Sequence, residues 1–138
     1  MLLIPTEIKP SPIQGLGLFT SGYLRKGQKV WELHYGLDVV MSNDDLINAL
    51  SHVSNTSRFE IGRWWSTYGY RIRKDNPGVP HLAGYWVLCS DGARYMNHSD
   101  DPNCDSDELV TVANRDVPAG VELTVNYKHF CDDWEIDV

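Results

Sequence analysis

Three short stretches concentrate the chemistry available to this chain. Arg94 to Cys104 reads RYMNHSDDPNC, an Asn-His pair followed by Ser and then a Pro-Asn pair. Such a loop sets many hydrogen-bonding groups beside the backbone, which suits either the capping of main-chain groups or the reading of a polar ligand. The acidic neighbours Asp100, Asp101, Asp105, Asp107 and Glu108 raise the alternative of a calcium loop, but the alternating ligands and central glycine of an EF-hand are missing. His98 has no second His or Cys at ligand spacing, so no metal site is expected.

The second stretch, Asn114 to Tyr127, reads NRDVPAGVELTVNY. Val117 to Gly120 is expected to turn between two β segments, and Glu122 to Tyr127 alternates as a strand does. Its plain reading is a hairpin with Tyr127 anchored in the core. The third stretch, GLGLF from Gly15 to Phe19, carries two glycines one residue apart, which let the backbone bend and let another group approach it closely. A dinucleotide cradle needs a third glycine opening a helix, whereas Thr20, Ser21 and Gly22 lead into another turn and strand. By itself this motif reads as a tight β-turn.

The elements that must position these residues are mostly strands. Short apolar runs rich in β-branched and aromatic residues recur at Gly17 to Phe19, Lys29 to Leu33, Tyr85 to Cys89, Leu109 to Ala113 and Val121 to Tyr127, broken by Gly, Pro, Asn and Asp. One helix is predicted, opening at Ser42 with Asp44 and Asp45 in its first turn and Leu46, Ile47, Leu50 and Val53 at helical spacing. Ser54 to Gly84, with Trp64, Trp65, Tyr68 and Tyr70 among basic residues, shows no clear periodicity and reads as an insert. Its aromatic density favours core packing over a binding surface.

A chain of 138 residues supports one hydrophobic core, so a single domain should hold the whole site. The formal net charge of -7 argues against a nucleic-acid partner and suits a basic protein, although plain solubility explains it equally well. Cys89, Cys104 and Cys131 form no CxxC pair, which speaks against a disulfide framework and a thiolate zinc cluster. Met1 to Pro12 is apolar only over Leu2 to Ile4 and reads as a first strand rather than a signal peptide. No stretch is long enough to span a membrane, and the expected location is intracellular: cytoplasmic, or nuclear in a eukaryote or its virus.

In order and mutual spacing the three stretches resemble the SET-domain protein lysine methyltransferases. Gly15 to Phe19 is similar to that family's N-terminal GxG turn, Arg94 to Cys104 to its RFxNHSCxPN segment, and Arg115 to Tyr127 to its RDIxxGEELTxDY segment. The resemblance implies a minimal, stand-alone SET domain over residues 1–138: a mostly β, β-clip fold of several small sheets with one or two short helices. It also implies an insert at about 41–84, a C-terminal lid at 128–138, and a knot-like crossing of the C-terminal segment with the Asn97-His98 segment.

The resemblance further implies S-adenosylmethionine as cofactor, converted to S-adenosylhomocysteine, and no metal. Its carboxylate and amino group would lie near Leu16, Gly17 and Arg94, and its adenine against Asn97 and His98. Tyr127 would be the catalytic residue at the junction of cofactor and lysine channel, and Phe130 and Trp134 would form a short apolar lid over adenine or lysine, on the cofactor side of the site. Tyr85, Tyr95 and Val125 are the implied channel walls, core packing being the alternative for the two tyrosines. The implied substrate is a lysine of a histone or another basic protein. A catalytically silent module that keeps the fold and holds basic peptides is the alternative function.

The chain departs from the family pattern in four places. Val125 stands where relatives carry Phe or Tyr two residues before the catalytic tyrosine, Asn126 replaces an acidic residue, and Asp100 replaces the cysteine of NHSC. Only Cys131 follows Tyr127, where many relatives build a zinc module.

Overall fold

The structure is a computed structural model that describes residues 1–129. Among these, ten short strands and two α-helices follow one another as β1 (Thr6–Pro10), β2 (Leu16–Thr20), β3 (Lys29–Glu32), β4 (Val39–Met41), α1 (Asn43–Ser51), α2 (Asn55–Tyr68), β5 (Gly69–Arg71), β6 (Trp86–Leu88), β7 (Asn97–His98), β8 (Cys104–Ser106), β9 (Val110–Ala113) and β10 (Thr124–Val125). They form four small sheets: β1 with β2, β3 with β9 and β8, β4 with β6 and β5, and the parallel pair of β7 with β10. The expected class, a mostly β fold of several small sheets with one or two short helices, is the class observed.

Helix α1 begins where local chemistry dictates. Ser42 is extended and its hydroxyl accepts the Asp45 amide at 3.1 Å, while Asp44 and Asp45 complement the positive end of the helix. Leu46 and Leu50, one turn apart, bury one face against Trp65 and Trp86. The Trp65 and Trp86 rings meet edge to face at 6.2 Å, and the Trp86 indole N–H donates to the Asn43 side chain at 3.0 Å.

Three regions gain detail that the sequence does not give. The strand in the first twelve residues is Thr6–Pro10, and Leu2 makes only an isolated bridge to Trp31. Ser54 to Gly84, which shows no clear periodicity in sequence, forms a helix and a strand: Ser54 caps α2 by accepting the Ser57 amide at 3.2 Å, and β5 joins the sheet of β4 and β6. Only Gly62 and Trp65 of α2 are buried, so its sequence carries almost no helical stripe. Finally, Val117 to Gly120 does not close a hairpin, because β9 pairs with β3 and β8 while β10 pairs with β7.

The last strand is also shorter than Glu122 to Tyr127, and side chains explain why. The Thr124 amide donates to the Asn103 carboxamide at 2.9 Å, and the Tyr127 amide donates to His98 Nδ1 at 3.1 Å. Side chains thus take positions that ladder carbonyls would otherwise occupy. A tight 3-10 turn then begins at Tyr127.

Candidate active site

Asn97 ties the three sequence-distant stretches together. Its Nδ2 stands within hydrogen-bond distance of the Gln14 carbonyl (3.1 Å), the Leu16 carbonyl (3.1 Å) and the Glu122 carboxylate (2.9 Å). Gly17 makes this possible: a Cβ there would stand 2.1 Å from Glu122 Oε1, so any side chain would expel the carboxylate that faces Asn97. Gly15 supplies the preceding left-handed turn at φ 49. The group that approaches the glycine backbone closely is therefore a side chain of the chain itself.

Asn103 also braces this crossing, the place where the three stretches meet. It donates to the Glu122 carbonyl at 2.8 Å and accepts the Thr124 amide, so both ends of its carboxamide are used. Arg115 reaches the Pro102 carbonyl at 2.8 Å and Asp101 at 2.9 Å, which holds the Asp101 carboxyl below its ordinary range. His98 accepts the Tyr127 amide with Nδ1 while its Nε2 lies 3.0 Å from Asp100, an arrangement that requires the proton on Nε2. That bond, followed by nearby Lys128, keeps the Asp100 carboxyl low.

Next to this crossing lies a cleft of about 650 Å³, part of it open to solvent. Tyr127, Val125 and Met96 come from the crossing, Trp31 and Thr111 from the β3–β9 pair, and Tyr68 and Tyr70 from the end of α2 and from β5. The Tyr127 hydroxyl donates to the Met96 carbonyl, which fixes the ring in this wall. Arg94 lines the same cleft, its guanidinium 5.0 Å from the Tyr95 ring and 5.7 Å from the Trp64 ring. Its Nη1 makes only 3.5 Å contacts, to the Ser90 and Asp91 carbonyls, and its buried Nε has no partner among the described residues.

Neither cysteine among the described residues is a ready nucleophile. Cys89 also lines the cleft, but burial pushes its thiol up to about 12, and burial does the same for Cys104. Neither presents a thiolate near neutral pH. Among the described residues no group of three or more His, Cys, Asp or Glu could hold a metal ion.

A family profile described as SET domain matches residues 15–128, most of the chain. The chain belongs to the SET-domain family. Solved SET-domain structures share its fold. The Neurospora histone lysine methyltransferase DIM-5 superposes with a TM-score of 0.60 at 22% identity, over 91% of this chain and 53% of that one. A Plasmodium falciparum protein described as a candidate histone methyltransferase gives 0.58 at 18% identity, over 93% and 96%. Polycomb Repressive Complex 2 from Chaetomium thermophilum, solved with S-adenosylmethionine, gives 0.63 at 21% identity, over 95% of this chain and 16% of that one. This chain thus spans about half of the Neurospora protein and a small part of the Polycomb chain. No curated protein sequence matches it.

The residues present in this SET domain fit the methyl donor its family implies. An amino-acid carboxylate needs a cation with donors to spare, and the Arg94 guanidinium lines the cleft with its Nη1 held only by 3.5 Å contacts. No phosphate has to be held, and the Gly15–Gly17 turn offers no helix N-terminus to hold one.

Of the site residues expected from sequence, Arg94, Val125 and Tyr127 line the cleft. Asn97 and His98 sit beside it in β7, bonded to the GxG turn and to Tyr127 respectively. Leu16 is 45% exposed, with its carbonyl engaged by Asn97, and Gly17 abuts Glu122. Tyr95 stands behind the wall, edge-on to Tyr68 at 5.5 Å and against Arg94. Tyr85 packs instead on the Ile72, Val79, Leu82 and Val87 cluster, outside the cleft lining, its backbone bonded to Leu82 and Ile72 beside that core. Phe130 and Trp134 lie outside the described residues.

Sequence reasoning did not assign Trp31, Tyr68 and Tyr70 to the site. Trp31 sits in a short β run where a large ring signals only a core position. Tyr68 and Tyr70 flank the α2–β5 junction, and a recognisable cap at Ser54 was the one signal that could have placed them. Glu108 gave a stronger sign in structure than in sequence: it is 2% exposed and holds φ 77, a left-handed backbone costing a non-glycine residue on the order of 1–3 kcal/mol.

Proposed function

We propose that this SET domain transfers a methyl group from S-adenosylmethionine to a lysine side chain of a basic protein, a histone being the kind of substrate its fold relatives are named for. The observation that carries the reading is the presence, in one cleft, of an arginine with spare donors and a tyrosine fixed by a main-chain bond. Bound near Arg94, the cofactor supplies a methyl group on a positively charged sulfur, transferable in line to an amine.

The chain's own residues supply binding, orientation and dehydration. Arg94 pairs with the cofactor carboxylate, and Asn97, through Leu16 and Glu122, keeps the GxG turn against β7. A lysine side chain in water loses its proton only near pH 10.4, to about a unit, so its nucleophilic form is scarce there. Trp31, Tyr70 and Val125 make an apolar enclosure that disfavours the ammonium form and so favours the reactive neutral amine. Tyr127, its own proton committed to the Met96 carbonyl, presents the phenolic oxygen as an acceptor for the amine N–H and aligns the lone pair for attack. The net charge of -7 favours encounter with a basic partner.

The test is transfer of labelled methyl to histones and to proteins of a cell extract, resolved by gel and mass spectrometry. Wild-type protein should label lysine, and Tyr127→Phe should reduce the rate by roughly 10²-fold. An unimpaired Tyr127→Phe would remove the tyrosine from the mechanism. Absence of transfer to any protein would overturn the enzyme reading.

A further inference from the structure

Tyr70 enters the cleft wall from the insert, and its placement is not its own. Its hydroxyl donates to the Glu108 carbonyl at 2.6 Å, across 38 positions of sequence. Glu108 in turn is buried in the turn between β8 and β9, where its carboxylate accepts the Arg73 amide at 2.7 Å and the Asn76 side chain at 2.9 Å. Asn76 also donates to the Asp107 carbonyl at 2.9 Å. Three bonds from one turn therefore hold both ends of the segment that follows Tyr70, and the turn adopts a left-handed glutamate to make them.

The geometry points to Glu108 as the positioning residue for the substrate channel: by clamping Tyr70 into the wall that Val125 also lines, it sets the width available to the amine. The inference rests on the proposed lysine methyl transfer and deepens it. Val125 is short and 4% exposed, so it cannot narrow the cleft by moving, whereas the ring of Tyr70 can narrow or widen it. Glu108 does not itself line the cleft, and its influence runs through Tyr70. A clamped Tyr70 admits an unmethylated or singly methylated amine and resists bulkier ones; a released Tyr70 admits more.

Wild type, Tyr70→Phe, Glu108→Gln and Glu108→Ala are compared on a lysine peptide taken from whichever protein is labelled. Mass spectrometry reads the ratio of mono-, di- and trimethyl products at equal turnover of the first methyl. Glu108→Gln keeps the size but offers a single acceptor oxygen to two donors, so it loosens the clamp with the least risk to folding. Both Glu108 variants and Tyr70→Phe should shift products toward higher methylation, by severalfold in the ratio. The double variant Tyr70→Phe with Glu108→Gln should shift no further than either alone, since one acts through the other.

A second readout does not depend on activity. With 3-fluorotyrosine incorporated, the Tyr70 resonance, assigned by its loss in Tyr70→Phe, should move or broaden in Glu108→Gln while the Tyr127 resonance stays in place. Glu108→Gln that lowers thermal stability yet leaves the Tyr70 resonance and the product ratio unchanged would overturn the positioning role. If wild type transfers no methyl to any protein, the enzyme reading fails by that result alone, and the fluorine spectrum still decides whether Glu108 holds Tyr70.

Discussion

The crossing of the three motif stretches and the segment from Met41 to Gly84, expected as an insert, are built on different kinds of contact. In the crossing, side chains bond to backbone: Asn97 to Leu16, Asn103 to Glu122 and Thr124, His98 to Tyr127. Only a few residue types have the donor and acceptor pairs for these places, so the residue letters carry the structure. In the insert, α1, α2 and the sheet of β4, β6 and β5 are joined mainly by rings and aliphatic side chains: Trp65 on Trp86, and Leu46 with Leu50 beside them. Many combinations of side chains fill such a space equally well. A site wall assembled from both regions is therefore legible on one side and opaque on the other.

Truncation should separate the two regions most clearly at Trp65, which is 6% exposed at the centre of its cluster. Trp65→Ala should cost about 3–5 kcal/mol by chemical denaturation, with cofactor affinity of the folded protein close to wild type. The reverse pattern is expected at Asn103. Asn103→Ala leaves the Thr124 amide and the Glu122 carbonyl without their partner, which should cost on the order of 1–3 kcal/mol and weaken cofactor binding roughly tenfold. If Trp65→Ala harmed binding more than Asn103→Ala, the division between a packing region and a bonding region would be wrong.

Ser42→Ala should produce a smaller, local effect of about 1 kcal/mol, read as lower helicity and faster hydrogen exchange over residues 43–51. The mildest effect is expected from acid. Asp100, Asp101 and Asp116 have folded pKa values held below 3.8, first by His98, Arg115 and the Lys26 amide respectively. Their contribution is present above 3.8, and it is lost as pH falls from there through the lowered folded values, because the unfolded chain binds protons first. All three are exposed, so the drop in melting temperature over that range should be slight and should shrink further in high salt.

The sequence carried the fold class, the α1 cap and the residues of the crossing because each rests on local chemistry: Ser42 before two aspartates, or an Asn-His pair before a Pro-Asn pair. It did not carry the helix from Asn55 to Tyr68, whose buried face is reduced to Gly62 and Trp65. The turn at Val117 to Gly120 was legible but its sheet partners were not, since local alternation says nothing about which sheet a strand joins, and here the two flanks join different ones. Tyr70 was invisible as a wall residue for the same reason, its position depending on Glu108 in a distant turn.

The central claim, that the crossing and Arg94 form a cofactor site, is tested most directly by calorimetric titration of the purified protein with S-adenosylmethionine. Wild type should bind one equivalent, and Arg94→Ala should bind roughly tenfold more weakly with an unchanged melting profile. Saturable binding that is indifferent to Arg94, or no binding by the wild type at millimolar cofactor, would contradict the account.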